Sequence, residues 1–238
     1  MYHCHVQLYL VGDPCRVFEI IKEIAPLPAF IHTFVESEKP EEDLAARADV
    51  ILVDLHGGDW KEAVRFLLDG KKETAELILL ADSGQISDLA EYLPEIGDIW
   101  TTPMTDEEVG FRFRKWQQDA KRKAELWQTS HYLEAAINNS PNLIWYKDKR
   151  GIHEKVNDSF CKAVNKTKQQ VEGRSHAYIW DVEQDDPACI ESERVVMTQR
   201  KTCMAEETIQ TGAGKRLLTT YKSPLYDLDG SVMGTVGI

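Results

Sequence analysis

"ADVILVDLHGGDW", residues 48–60, is the stretch whose reading decides the fold. An apolar run, Val50 to Val53, ends in Asp54 and is followed at once by the Gly57–Gly58 pair. A short continuous apolar run closed by a turn is the pattern of a strand buried on both faces, as in a parallel sheet. Ligands of such sheets sit beyond the carboxyl ends of the strands. A carboxylate at that tip, on the rim of a loop, is placed for chemistry.

Strand and helix patterns alternate on both sides of this stretch. Strands are expected at 5–11, 29–35, 50–54, 75–81 and 98–102, with helices at 15–24, 41–48, 60–70 and 86–93. Within 60–70, Val64, Leu67 and Leu68 stand at helical spacing and Gly70 is a stop. Short loops between alternating β and α segments imply a doubly wound α/β domain on a mainly parallel, five-stranded sheet.

After Pro103 the texture changes. Residues 105–140 hold no proline and one glycine, Gly110. Thr105 with Glu108 forms a capping box, and Asp106, Glu107 and Glu108 suit the positive end of a helix dipole. An apolar stripe, Val109, Phe113, Trp116, Ala120, Ala124, Trp127 and His131, steps by 4, 3, 4, 4, 3 and 4. That is a heptad seam with one irregular step, long enough to outrun the first domain. It predicts a helix shared between domains and dimerised through Phe113, Trp116, Ala120, Ala124 and Trp127. Beyond "NNSP" (138–141) the pattern is two strands turning at 148–151, several helices, then three strands at 203–211, 215–227 and 231–238. This order implies an α+β domain on one five-stranded antiparallel sheet. The expected division is 1–118, a connecting helix 119–137, and 138–238.

A chain of 238 residues with a formal charge of −12 can bury a sizeable core. The acidic balance argues against nucleic acid or an anionic membrane as partner, since phosphate neutralisation needs clustered Lys and Arg. The basic run at 115–123 reads as a solvated helix face. Five widely spaced cysteines imply reduced thiols. No apolar run approaches the roughly 20 residues of a membrane span, and the N-terminus lacks the features of a signal peptide. The expectation is a cytoplasmic protein.

The βα order, Asp54 after the third strand and "TTP" (101–103) after the fifth make residues 3–118 resemble a response-regulator receiver domain. The resemblance implies a phosphate acceptor at Asp54. It puts the metal-binding acidic pair at Gly12 and Asp13, the hydroxyl residue of the fourth strand at Leu80, and the lysine of the fifth loop at Thr102, before Pro103. One carboxylate, the hydroxyl and the ammonium are therefore missing. Aspartyl phosphorylation needs a divalent cation and fixed positive charge, and losing one such group typically costs about 10²–10³ in rate. The expectation is a degenerate receiver whose Asp54 stays silent.

"NNSPNLIWYKDKRGIHEKVNDSFCKAVNKTKQQVEGRS" (138–175) and "KSPLYDLDGSVMGTVGI" (222–238) make the second half resemble a PAS sensor domain. It is most similar to those preceding diguanylate cyclase or sensor kinase modules in bacterial signalling proteins. The resemblance implies a non-catalytic input module, homodimeric through its helix, with an effector beyond Ile238. A cyclic-di-GMP enzyme is the first expectation for that effector and a histidine kinase the second. The alternative is an active receiver using Asp54. "GRSHAYIWD" (173–181) carries His176 but no cysteine where flavin-binding light sensors of the family have one, which argues against flavin. A lone histidine does not make a haem site. No cofactor is expected, and Trp145, Tyr146, His176, Tyr178 and Trp180 are candidates to line a small-molecule pocket. Three lesser motifs carry no chemistry. "HCH" (3–5) lacks further ligands for a metal, while "TGAGKR" (211–216) and "YDLDG" (226–230) read as hairpin turns.

Overall fold

The computed structural model describes residues 4–56, 59–211 and 214–238. The Gly57–Gly58 turn, His3 of "HCH" and the middle of "TGAGKR" lie outside them. The chain divides into two compact units, residues 1–127 and 128–238.

The first unit is built on five parallel strands: β1 (Cys4–Val11), β2 (Phe30–Ser37), β3 (Val50–Asp54), β4 (Glu76–Asp82) and β5 (Asp98–Thr102). Their order is β2-β1-β3-β4-β5, with β1 paired to both β2 and β3. The strand order reverses there, so the loops after β1 and β3 flank the switch point where open α/β sheets place their ligands. Side-chain alternation explains the sandwich. Leu8, Leu10, Leu52, Leu80 and Trp100 point to one face, where α1 (Arg16–Glu23) and the first turns of α4 (Asp106–Asn138) cover them. Tyr9, Val11, Ile51, Val53 and Leu79 point to the other, under α2 (Glu42–Arg47) and α3 (Trp60–Gly70). The helix expected at 86–93 is a 3-10 helix, Ile86–Tyr92. Pro94 follows it within two residues and keeps it short.

The long helix corrects part of the expected seam. Phe113 and Trp116 are buried in the first unit, their rings stacked 5.3 Å apart and both in contact with the His32 ring. Trp116 Nε1 donates to Glu76 Oε2 at 3.2 Å. Ala120 packs against the same core. Phe113 and Trp116 obey a helical period because the sheet requires it, so they cannot also face a partner, and Ala120 is half-buried beside them. Past them, Leu126, Trp127, Tyr132 and Leu133 are exposed.

The second unit carries β6 (Trp145–Asp148), β7 (His153–Val156), β8 (Cys203–Thr211), β9 (Gly214–Tyr226) and β10 (Val232–Gly237) as an antiparallel sheet ordered β7-β6-β10-β9-β8. Between β7 and β8 run α5 (Asp158–Val164), α6 (Lys168–Val171), α7 (His176–Trp180) and α8 (Pro187–Gln199). Their starts are written in the sequence. Asn157, Thr167, Ser175 and Asp186 each accept a backbone N–H at the first turn, and Pro187 stands where a proline is tolerated. Trp145 lies over Gly237, where a Cβ would come within 2.3 Å of the indole, so only glycine leaves room for it.

Candidate functional site

Two groups of polar side chains stand out, one in each unit. The first lies at the carboxyl ends of β3, β4 and β5. Asp54 pairs in register with Leu80 of β4. Leu80 itself is buried in the core beneath, so β4 reaches the site through Asp82 instead. His56, two residues past Asp54, turns back over the strand ends. Its backbone N–H donates to Asp54 Oδ1 at 3.1 Å, and its Nδ1 bonds the same oxygen. On the other side of the ring, Nε2 is 3.0 Å from Asp82 Oδ1 and 2.7 Å from Thr102 Oγ1. Partial burial works to lower the pKa of this imidazole, but the hydrogen bond and charge of Asp54, then those of Asp82, outweigh it and raise it above the usual 6.5. The two carboxylates thereby favour the protonated form of His56, which stands between the ends of β3, β4 and β5.

Gly12 ends the loop-side tip of β1 with a φ of +130°, and a Cβ there would meet Asp54 Cβ at 2.8 Å. The missing acidic residue therefore cannot be restored at Gly12 without moving the strand end. Asp13 is exposed and lines, with Asp54 and His56, an open cleft of about 640 Å³. Among the described residues no group of three or more His, Cys, Asp or Glu is arranged to hold a metal ion.

The second group fills the interior of the antiparallel domain. Lys147 Nζ donates to Glu193 Oε1 at 2.6 Å, and Lys222 Nζ donates to Glu207 Oε1 at 2.8 Å and to Ser192 Oγ at 2.7 Å. Lys222 Nζ also lies 3.9 Å from Glu193 Oε1, so the four charges form one alternating chain linking β6, α8, β9 and β8. All four residues are buried. Ser192 Oγ donates to Glu207 Oε1 at 2.7 Å and Cys189 Sγ lies 3.7 Å from Glu207 Oε2. Burial, with Glu207 nearby, pushes the Cys189 thiol up to about 12, so it is inert at neutral pH. Two histidines complete the wall. Burial and the neighbouring Lys147 push His153 down to about 2 and His176 down to about 4, so both are neutral. His176 Nε2 is buried without a hydrogen-bond partner.

The cavity these residues enclose has a volume of about 30 Å³, the space of one water molecule. Neither a haem nor a flavin fits it as it stands. Of the aromatic residues proposed from the sequence, Trp145, His176 and Trp180 line it. Tyr146 and Tyr178 do not. Tyr146 alternates to the opposite face of β6 from Trp145 and Lys147, and Tyr178 is exposed with Arg174 over its ring. The Lys and Glu residues were missed, yet β6 and β9 carry the signal. Lys147 follows Trp145 by two and Lys222 follows Thr220 by two, so each lysine shares an inward face.

Residues 137–238 match the sequence profile of the PAS fold. No curated protein sequence matches the chain. Similar solved structures include the PAS domain of BvgS from Bordetella pertussis, 21% identical over 46% of this chain and 83% of that one, with a TM-score of 0.37. The PAS domain of an HTR-like protein from Haloarcula marismortui is 23% identical over 50% and 96%, with a TM-score of 0.39. A VqmA–ligand–DNA complex from Vibrio cholera is 17% identical over 47% of this chain and 48% of that one, with a TM-score of 0.37. This last structure, a complex with DNA, corrects the exclusion of nucleic acid drawn from the charge of −12. Net charge sums over a whole chain, whereas contact with a phosphate backbone is decided by local surface. Among the described residues no helix is long and apolar enough to cross a membrane. The parallel sheet of the first unit fits a receiver-like domain, and residues 137–238 have the PAS fold.

Proposed function

We propose that the chain is the non-catalytic input region of a signal-transduction protein, in which the PAS domain receives the stimulus and α4 carries the response. The receiver-like domain serves as a docking and dimerising body, and its Asp54 is not a phosphate acceptor. The observation that carries the reading is Asn157. Fully buried, it donates from Nδ2 to Ile137 O at 3.0 Å and Asn142 O at 2.8 Å, and accepts at Oδ1 from Ile144 N and Phe160 N, both at 3.0 Å. One side chain thus ties the last turn of α4 to the start of β6 and the first turn of α5. A change inside the domain that moves α5 or β6 must pull on the helix end.

The homodimer is supported by the exposed apolar residues of α4, with Leu126 and Leu133 one heptad apart and Trp127 beside them. Trp127 and Ala124 are what remains of the seam read from the sequence. The output is a domain C-terminal to Ile238, a cyclic-di-GMP enzyme in the first instance and a histidine kinase in the second, on the strength of the PAS resemblance alone. The second reading, a phosphorylation-competent receiver, keeps Asp54 at the right strand end but must displace His56 from it.

Expression of the gene through its natural stop, with cyclic-di-GMP formation measured in wild type and Asn157→Ala, tests the proposal. The variant is expected to change the rate by at least about fivefold, the scale of an ordinary coupling between sites. An output activity indifferent to Asn157, or the absence of any output domain, contradicts it.

A further inference from the structure

We propose that the pocket between the β6–β7 hairpin and α8 binds a free aliphatic α-amino acid, its carboxylate on Lys147 and His176 and its ammonium on Glu193. This rests on the reading of residues 137–238 as a sensory domain and names the class of molecule it senses. The pocket has a volume of about 240 Å³ and shares Lys147, His176, Cys189 and Glu193 with the inner cavity. That volume holds about eight waters, or one molecule of leucine size.

The polar wall is incomplete in a specific way. Lys147 directs one of its three N–H donors at Glu193 Oε1. His176 is 6% exposed and its Nε2 has no partner. A buried polar atom left unpaired carries a desolvation cost, which a ligand oxygen accepting from Nε2–H at that point would offset. The second oxygen of Glu193 lies toward Gly151, where an added Cβ would stand 3.8 Å from it. With no side chain at Gly151, this carboxylate oxygen is open to a donor in the pocket.

Charge balance at the buried floor of the pocket selects the ligand. There two lysines and two glutamates cancel, and burial keeps His153 and His176 neutral. Of the charged residues around the mouth, Lys149, Arg150, Asp185, Asp186 and Arg194, the two arginines are paired with Asp148 and Glu191. A ligand with net charge would leave one buried charge uncompensated, which burial strongly disfavours. A zwitterion brings one charge of each sign and can enter the Lys147–Glu193 pair without upsetting the sum. On α8, Ile190 and Met197 stand two turns apart on the pocket side and supply an apolar wall for the side chain.

Calorimetric titration of the 238-residue chain with L-leucine tests this, against 4-methylpentanoate, which lacks the ammonium, and 3-methylbutylamine, which lacks the carboxylate. Saturable binding is expected for leucine, with both analogues weaker by at least about tenfold, the worth of a charged hydrogen bond. Glu193→Gln is expected to weaken leucine by a similar factor. Because that change touches a buried ion pair, Ile190→Glu, at a solvent-exposed residue of the pocket's apolar wall, is the second variant and must weaken leucine too. No binding of leucine, equal binding of 4-methylpentanoate, or leucine binding unchanged in both variants overturns the proposal. Binding of succinate in place of leucine also overturns it while leaving the sensory reading intact. Failure of the sensory reading shows separately, as an output indifferent to Asn157.

Discussion

Replacing Lys222 by methionine is expected to lower the stability of the PAS domain by about 3–5 kcal/mol, a large share of what a domain of this size possesses. The side chain of Lys222 is 3% exposed, and its Nζ holds Glu207, Ser192 and, more distantly, Glu193. Methionine fills much of the same volume, so the loss is not one of packing. What remains is Glu207 with its charge uncompensated and only Ser192 and Cys189 beside it, while Lys147 still holds Glu193. Removing the carboxylate as well, in Lys222→Met with Glu207→Leu, is expected to restore most of the stability, because a buried pair replaced by apolar groups is often neutral or better. Urea unfolding of both variants measures it. A loss below about 1 kcal/mol in the single variant would mean that the chain of charges is solvated and contributes little.

Acid is expected to unfold the PAS domain well above the pH at which its carboxylates titrate. Burial and Lys147 hold His176 near 4 and His153 near 2 in the folded state, against an ordinary 6.5. Between those values the unfolded chain binds protons that the folded domain refuses. Stability is therefore intact above about pH 6.5 and falls as the pH drops toward the folded values, by about 3 kcal/mol at pH 4 from His176 alone. His176→Leu removes an unpartnered buried nitrogen and is expected to cost little at pH 7 while flattening the acid slope. Urea midpoints at pH 7, 5.5 and 4.5 decide it; parallel slopes in wild type and variant count against the assignment. The first unit should behave in the opposite sense. His56 is raised above 6.5 by Asp54 and Asp82, so its stabilising contribution is complete below pH 6.5 and is lost as the pH rises through its folded value.

Both sheets were legible because their information is local. The run 50–53 is apolar on every residue, and the strand it forms is buried on both faces. The caps at Asn157, Thr167 and Asp186 each use a side chain within three residues of the group it serves. The sites were less legible because they are assembled across elements. Asp54 was found from its place at a strand end, but Asp82 was not, since its role depends on His56 reaching across from β3. Leu80 was aligned by analogy to a site residue, while the pleat turns it into the core. The lysines and glutamates of the PAS interior read as ordinary surface charge until α8 is laid over the sheet. Phe113 and Trp116 show the converse. Their spacing is correct for a seam and equally correct for packing on β1 and β2, and only the fold decides between the two.

In the proposed reading the strand-end carboxylate Asp54 is closed to phosphoryl chemistry by its own neighbour, His56. Intact-mass spectrometry after incubation with acetyl phosphate and Mg²⁺ tests it most directly, with Asp54→Asn as control. The bonding of Asp54 to His56, with Leu80 and Thr102 in place of a hydroxyl and an ammonium, predicts that neither protein gains mass. One added phosphate on the wild type, absent from Asp54→Asn, would contradict the account and make the first unit a working receiver.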